Sequence, residues 1–443
     1  MKVLIANRGE IAVRVIRACR EMGIETVAIY STADRDSLHV KMAGEAVCVG
    51  PPPSAESYLV QNNIIQAAVK TGCEAVHPGV GFLSENAEFA RAVSEAGLVF
   101  IGPDWHVLKL LGDKVAARHE ARKAGLPITP GTEDAVNGIA AAEKTIDALG
   151  LPVIIKAAAG GGGKGMRIVR KKSEVAENLP LAIKEAEANF ADGRVFIERY
   201  IENPRHIELQ LLADGNGNVA VLGERDCTVQ RNRQKLIEES PSPVLPAPAR
   251  QAMLEGAVNL FSSLNYRGAG TIEFLMDGAE FYFMEVNARI QVEHPVSELV
   301  SGIDIIREQI TACTTGSLSF TPQDVRLTGA AIECRINALS PGCVTALTVP
   351  GGPGVRFDSF LYEGCAVPPY YDSMVAKLIT YDTSSSGARE RALARMNRAL
   401  DELVIEGIKT NIEEQRLIIN HPVFRAGKFG TSFIENYIDN RQP

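Results

Sequence analysis

The sequence predicts an α/β to α+β fold in three parts, 1–112, 113–326 and 327–443, and two patterns carry that reading. The first part alternates short apolar runs with helical periodicity, which predicts an open parallel sheet with flanking helices. The middle is rich in strand–turn–strand patterns, and the last part opens on a strand and ends in helical stretches rich in Ala, Arg and Glu.

Residues 2–6 (KVLIA) read as a buried parallel strand. Glu10 to Met22 places Ile11, Val15, Ala18 and Met22 at helical spacing, and Gly23 ends the helix. The alternation runs on through ETVAIY, EAVHPG and GLVFIG near residue 102. In the middle, LPVIIKAAA, MRIVR, VFIERYI, RHIELQLLAD and GNVAVLGERD read as strands, and GAAIECRINA opens the third part. There are no repeats, no low-complexity tract and no long linker.

Composition narrows the function classes. A chain of 443 residues, 46 % hydrophobic and 23 % charged, is ordinary globular material with room for two or three cores. Its net charge of −8 argues against a nucleic-acid partner. Eight cysteines form no Cys-x-x-Cys pair, so no zinc ribbon or dithiol motif is expected, and scattered Cys suits a reducing compartment. Seven histidines include no close pair, which argues against a histidine-built metal site. The apolar run Val3 to Ala6 is too short for a signal peptide or a membrane span, so a cytoplasmic protein with no membrane association is expected.

Gly160, Gly161, Gly162 and Gly163, followed by Lys164, offer backbone N–H groups that no Cβ shields, a loop able to fold over phosphates. Gly160, Gly162 and Gly165 match the spacing of a dinucleotide fingerprint, but a strand follows where that motif needs a helix. A Walker A loop needs Ser or Thr after its Gly-Lys, and Gly165 follows Lys164 here. What remains is a strand–loop–strand flap, or an idle hairpin tip. Four glycines cost roughly 0.5–1 kcal/mol each relative to Ala within regular structure, which favours the flap.

TIEFLMDGAEFYFMEVNARIQVEHP (271–295) reads as a hairpin turning at Asp277-Gly278. Glu285 and Asn287 are two apart and share a face. Glu273 joins them if the loop is the three residues Asp277-Gly278-Ala279, or if an equivalent bulge supplies the odd residue. Three oxygen donors on one apolar strand pair suit Mg²⁺. Phe274, Phe281 and Phe283 mark the other face as buried, and Arg289, Gln291, Glu293 and His294 add charge beside the donors. A solvated acidic hairpin is the bland alternative.

Nearly the whole chain resembles the ATP-grasp enzymes and, within them, the biotin carboxylases. The likeness rests on ANRGEIA, HPGVGFLSEN, GDK, PVIIKAAAGGGGKGM, ERYIENPRHIE, ERDCTVQRNRQK, EVNARIQVEHPVSE, ECRINA, VPPYYDSM and GIKTN, in order. It implies an N-terminal Rossmann-like domain (1–112), an ATP-grasp domain (113–326) with a mobile lid at about 131–203, and a C-terminal domain (327–443). By the same resemblance Lys114 and Lys156 meet the nucleotide phosphates, Glu198 lies at the adenine or ribose hinge, and His206 and Gln230 lie on the nucleotide side. Glu273, Glu285 and Asn287 are implied to hold Mg²⁺ or Mn²⁺. Lys235, Arg289, Gln291, Val292 and Glu293 match the bicarbonate pocket, and Arg335 the arginine facing biotin. Lys114 could otherwise be a surface helix lysine, and Arg335 a structural ion-pair partner.

The chemistry so implied is ATP-dependent. Glu293 takes the bicarbonate proton while Lys235 and Arg289 hold the charge, bicarbonate attacks the γ-phosphate, and the carboxyphosphate formed releases CO₂ to biotin in a closed site. No Met-Lys-Met biotinylation motif is present, which implies a separate biotin carboxyl carrier protein and a carboxyltransferase, of an acetyl-CoA, propionyl-CoA or pyruvate system. A homodimer is also implied, with Arg17 and Glu21 at its interface. The sequence departs from the family at Val80 (usually Tyr), at Arg233 (usually His), and after Asn337, where several residues before Ser340-Pro341-Gly342 are missing. Another ATP-grasp ligase and a weakened regulatory homologue are the competing readings.

Overall fold

The computed structural model describes residues 1–132, 134–158 and 166–439. Strands β1 (Lys2–Ile5), β2 (Glu25–Ser31), β3 (Glu45–Gly50), β4 (Ala75–His77) and β5 (Val99–Phe100) form a parallel sheet in the order β3-β2-β1-β4-β5. Val3, Leu4 and Ile5 are fully buried because helices cover both faces, as a parallel sheet requires. The helix after β1 spans Gly9–Glu21, and Gly23 follows in the left-handed region at φ +69°. The GLVFIG run yields only the two-residue β5. Beyond β1, the Asn7 amide donates to the carbonyls of Pro78 and Val80, each at 2.8 Å, and so holds the HPGVG loop.

Strands β6 (Val153–Ala157), β7 (Arg167–Val169) and β8 (Val195–Arg199) make a small antiparallel sheet, β7-β6-β8. With helices Ile139–Leu149 and Val175–Phe190 it builds a core of its own around Ile146, Ile155, Leu179 and Ile197. A core that closes on itself lets the unit move as a body. Its base is tight: a Cβ on Gly131 would sit 2.5 Å from the Ile197 carbonyl oxygen. The glycine run 160–163 and Lys164 lie outside the described residues.

The largest sheet is antiparallel, in the order β13-β12-β9-β10-β11-β14-β19-β17. Its strands are β9 (Arg205–Asp214), β10 (Val219–Arg231), β11 (Gln234–Ser240), β12 (Arg267–Asp277), β13 (Glu280–Asn287), β14 (Ala330–Asn337), β17 (Val355–Ser359) and β19 (Met374–Asp382). Two short pairs, β15 (Gly342–Cys343) with β18 (Ala366–Val367) and β16 (Ala346–Thr348) with β20 (Val404–Glu406), flank it. The sheet thus joins middle and C-terminal strands. Ile332, Cys334, Ile336 and Leu378 pack on one face with helix Ala388–Glu402. Ala331 and Ile379 pack on the other with Val296 and Val300 of helix His294–Ser301.

The hairpin takes the second of the two forms expected of it, a bulge rather than a three-residue loop. Asp277 pairs with Glu280, so the loop is the two residues Gly278-Ala279, with Gly278 at φ +62°. The odd residue is instead a bulge at Met284, because Phe274 pairs with Phe283 but Glu273 pairs with Glu285. In a regular strand Glu285 would share the buried face of Phe283; the bulge turns it to Glu273's side. The strand also ends at Asn287, so Arg289 to Glu293 form a turn before the next helix rather than a continued face.

Candidate active site

The face of the large sheet that carries helix His294–Ser301 borders a cavity of about 990 Å³, with Lys156, Ile168 and Glu198 of the small sheet on its other side. Of the described residues expected in the site, Lys114, Lys156, Glu198, His206, Gln230, Lys235, Glu273, Glu285, Asn287, Arg289, Gln291, Val292, Glu293 and Arg335 all line it.

The centre is a buried charge cluster. On β9, His206, Glu208 and Gln210 point one way by strand parity and are all buried. The Lys235 ammonium donates to Glu293 Oε1 (2.6 Å), Glu208 Oε2 (2.7 Å) and Glu273 Oε1 (3.0 Å). Burial opposes its charge, but Glu208, Glu273 and Glu293 together hold its pKa well above the ordinary lysine value. Glu293 accepts on its other oxygen from Arg335, at 3.0 Å. Burial raises its pKa, and Lys235, Arg335 and Arg225 more than reverse that, leaving the carboxylate well below its usual range. Arg335 itself rests on Glu238, Nε to Oε1 at 2.6 Å.

Around this core each residue is fixed by a neighbour. Gln291 Nε2 donates to Glu273 at 2.9 Å. Lys377, fully buried, donates to the Val292 carbonyl at 2.7 Å and pairs with Glu10 at 3.2 Å. Arg289 is held by Glu85 of the HPGVGFLSEN segment at 2.8 Å and by Asn287 Oδ1 at 3.0 Å. Gln230 contacts His206 Nδ1 at 2.9 Å, while His206 Nε2 faces Glu273 at 3.1 Å. Burial opposes a charged His206, yet Glu273 raises its pKa above the ordinary value.

Glu273 and Glu285 face each other across the hairpin, and Asn287 follows two residues on. Glu285 is only loosely engaged, 3.4 Å from Lys114, and the buried Asn287 Nδ2 has no partner among the described residues. Two carboxylates and an amide at the cavity wall fit a hard, oxygen-seeking cation. His206, Glu208 and Glu273 also converge within 4.8 Å, but the Lys235 ammonium already fills that space. Lys156 pairs with Glu198 at 2.5 Å. Arg118 binds the other oxygen of Glu198.

Burial, then the charges of Lys114 and Arg118, work against a charged Lys156, and the Glu198 carboxylate at 2.5 Å favours it.

Sequence reasoning missed Arg225, Glu208, Glu238, Lys377 and Glu85. Glu208 could have been found, since it lies two residues from His206 on a strand. Arg225 is fully buried and donates to Glu208, Gln210, Thr271, Gln291 and Ser297. The departures also take their places. Val80 lines the cavity, and Arg233 lies in the β10–β11 turn at φ +66°. The shortened segment closes directly, with the amides of Ala338 and Leu339 donating to Ser373 and Lys409 carbonyls at 2.8 and 2.7 Å.

A small-sheet unit with its own core, facing the large sheet across one cavity that Lys114, Lys156 and the paired carboxylates of the hairpin line, is the arrangement expected of an ATP-grasp ligase. The family models agree part by part. Residues 1–108 match "Biotin carboxylase, N-terminal domain", 113–320 match "Carbamoyl-phosphate synthase L chain, ATP binding domain", and 333–436 match "Biotin carboxylase C-terminal domain". Biotin carboxylase 1 of Bacillus subtilis is 50 % identical over 446 residues, covering 98 % of each chain. The biotin carboxylase–β,γ-ATP complex from Campylobacter jejuni is 43 % identical at TM-score 0.95, covering 98 % of each chain. The biotin carboxylase domain dimer of Hydrogenobacter thermophilus 2-oxoglutarate carboxylase, in complex with MgADP and bicarbonate, is 44 % identical at TM-score 0.93, over 98 % of this chain and 97 % of that one. The chain belongs to the biotin carboxylase family of ATP-dependent ligases, which carboxylate biotin with bicarbonate.

Proposed function

We propose that this chain carboxylates biotin on a separate carrier protein through carboxyphosphate, with its residues dividing the work as follows. Lys235, Arg289, Gln291 and the Val292 backbone bind bicarbonate. Glu293 takes its proton, and Arg335 stabilises the anionic oxygen of biotin. One observation carries the reading: a buried carboxylate, Glu293, has an ammonium on one oxygen at 2.6 Å and a guanidinium on the other at 3.0 Å, at a cavity wall.

The arrangement explains how so depressed a carboxylate can act as a base. In the resting site three cations hold Glu293 charged. An arriving bicarbonate takes a share of Lys235 and Arg335, which returns basicity to Glu293 as it acidifies the substrate. Lys114 and Lys156 meet the nucleotide phosphates, Glu198 lies at the nucleotide hinge, and His206 and Gln230 close the nucleotide side. Glu273, Glu285 and Asn287 would hold Mg²⁺, or Mn²⁺, which supplies charge neutralisation at the phosphates when bound. The unit about 131–203, with its own core, closes as a lid and keeps water from the intermediate.

The likeness to a domain dimer supports a homodimer. Arg17 and Glu21 line a second depression of about 340 Å³ with Arg14, Asp304 and Arg356, a charged surface suited to that contact. Among the described residues no helix is long and apolar enough to cross a membrane. A cytoplasmic enzyme working with a carrier protein and a carboxyltransferase fits this picture.

ADP release with Mg-ATP and bicarbonate, with and without free biotin, tests the reading. Biotin is expected to stimulate turnover, and Arg335→Ala to cut the stimulated part by about 10²-fold. Turnover indifferent both to biotin and to a supplied biotinylated carrier would sink it.

A further inference from the structure

Behind Arg335 lies a pair of carboxyl groups that the reaction described above does not use. Glu238 of β11 and Glu333 of β14 are register partners across adjacent strands, and neither side chain is exposed. Both Arg335 donors on this side, Nε at 2.6 Å and an Nη at 2.5 Å, converge on Glu238 Oε1. Glu238 Oε2 and both oxygens of Glu333 are buried without a hydrogen-bond partner among the described residues. Two adjacent carboxylates in a dry patch cannot both stay ionised when three of their four oxygens lack a donor.

The surrounding charges do not fill the gap. Glu333 is faced by Arg335 on its own strand, by Glu238 on β11, by Glu293 at the start of helix His294–Ser301 and by Lys377 on β19. Arg335 is already shared between Glu238 and Glu293, and Lys377 is committed to Glu10 and the Val292 carbonyl. Glu238 is faced by Arg335, Glu293 and Lys235, and the last is committed to Glu208, Glu273 and Glu293. A proton held between the two carboxyl groups supplies the missing donor.

We propose that Glu238 is a positioning residue for Arg335, kept anionic by a hydrogen bond from a protonated Glu333. The proposal rests on Arg335 facing the reacting atoms. Burial, with the charges of Glu238 and Glu293, pushes the Glu333 pKa well up, whereas at Glu238 the Arg335 guanidinium works against burial, which favours the proton on Glu333. The pair sets how Arg335 divides between its two acids. An anionic Glu238 draws the guanidinium back from Glu293 and leaves that carboxylate basic enough to accept a proton. With Glu238 neutral, Arg335 falls wholly to Glu293 and lowers its basicity.

Glu238→Gln is therefore expected to lower kcat about tenfold with KM for ATP unchanged, and to move the acid limb of kcat/KM for bicarbonate to lower pH. Glu238→Asp, which keeps the charge, should recover part of both. The loss in Glu333→Gln should be at least fivefold smaller than in Glu238→Gln, because an amide replaces an acid that is already neutral. The proton has its own readout: the infrared carbonyl stretch of a protonated carboxylic acid, present in the wild type and lost in Glu333→Gln. A wild-type pH profile in Glu238→Gln overturns the positioning role, and absence of that infrared band overturns the shared proton. Arg335→Ala in parallel separates the two failures: if it too keeps full biotin-stimulated turnover, the role of Arg335 itself was misread.

Discussion

Glu293→Gln is expected to lower kcat for ADP release by about 10²–10⁴-fold, the range for losing a positioned general base, while KM for ATP changes little. The substitution keeps the shape of the side chain and removes its charge. The fold should survive, because neither cation on Glu293 is left alone. Lys235 keeps Glu208 at 2.7 Å and Glu273 at 3.0 Å, and Arg335 keeps Glu238. The pH dependence has a definite sign. Lys235, Arg335 and Arg225, working against burial, hold the folded-state pKa of Glu293 well below its ordinary value of 4.5. The stability it contributes is therefore present above about pH 4.5 and is lost as pH falls through the lower, folded value. In Glu293→Gln that part of the acid unfolding should vanish, and the melting temperature between pH 5 and pH 3 should fall less steeply than in wild type. A variant with wild-type turnover would remove Glu293 from the chemistry.

Much of the site was legible because strands advertise it. A parity of two puts Glu285 and Asn287 together, and a charge at the end of the apolar run VIIK points Lys156 at a partner, which proves to be Glu198. The exact loop was not legible. Asp277-Gly278 suits several turns, and the register depended on a bulge at Met284 that no local residue signals. Nor was the buried support. Glu333 and Lys377 sit in strands between apolar neighbours, Glu238 is one of two successive glutamates, and nothing nearby in sequence says that β11, β14 and β19 lie side by side. The large sheet runs on from the middle strands into the C-terminal ones, and that continuation sets these charges behind the site. The glycine cluster points to phosphates by composition alone. The departures at Val80 and Arg233 fall on the cavity wall.

Arg225→Met is expected to destabilise the protein by about 3–5 kcal/mol, the cost of leaving a buried ion-pair partner uncompensated. Arg225 has no exposed surface and spends its donors on five neighbours from four elements: Glu208 and Gln210 of β9, Thr271 of β12, Gln291, and Ser297 of the helix above. Methionine fills much of the space but donates nothing. Glu208 would then depend on Lys235 alone, and the amide oxygens of Gln210 and Gln291 would be stranded in a dry interior. The defect also reaches the substrate. Gln291 is held from below by Arg225 at 2.9 Å, and it in turn donates to Glu273 at 2.9 Å. Freed from its anchor it should bind bicarbonate less well, so KM for bicarbonate should rise more than KM for ATP. Thermal unfolding measures the first effect and steady-state kinetics the second. Adding Glu208→Gln to Arg225→Met removes the stranded charge and should recover part of the lost stability. It should not recover the bicarbonate KM, because Gln291 is still unsupported and Lys235 has lost a partner. Stability and KM recovering together would mean that Arg225 matters to bicarbonate only by keeping the chain folded.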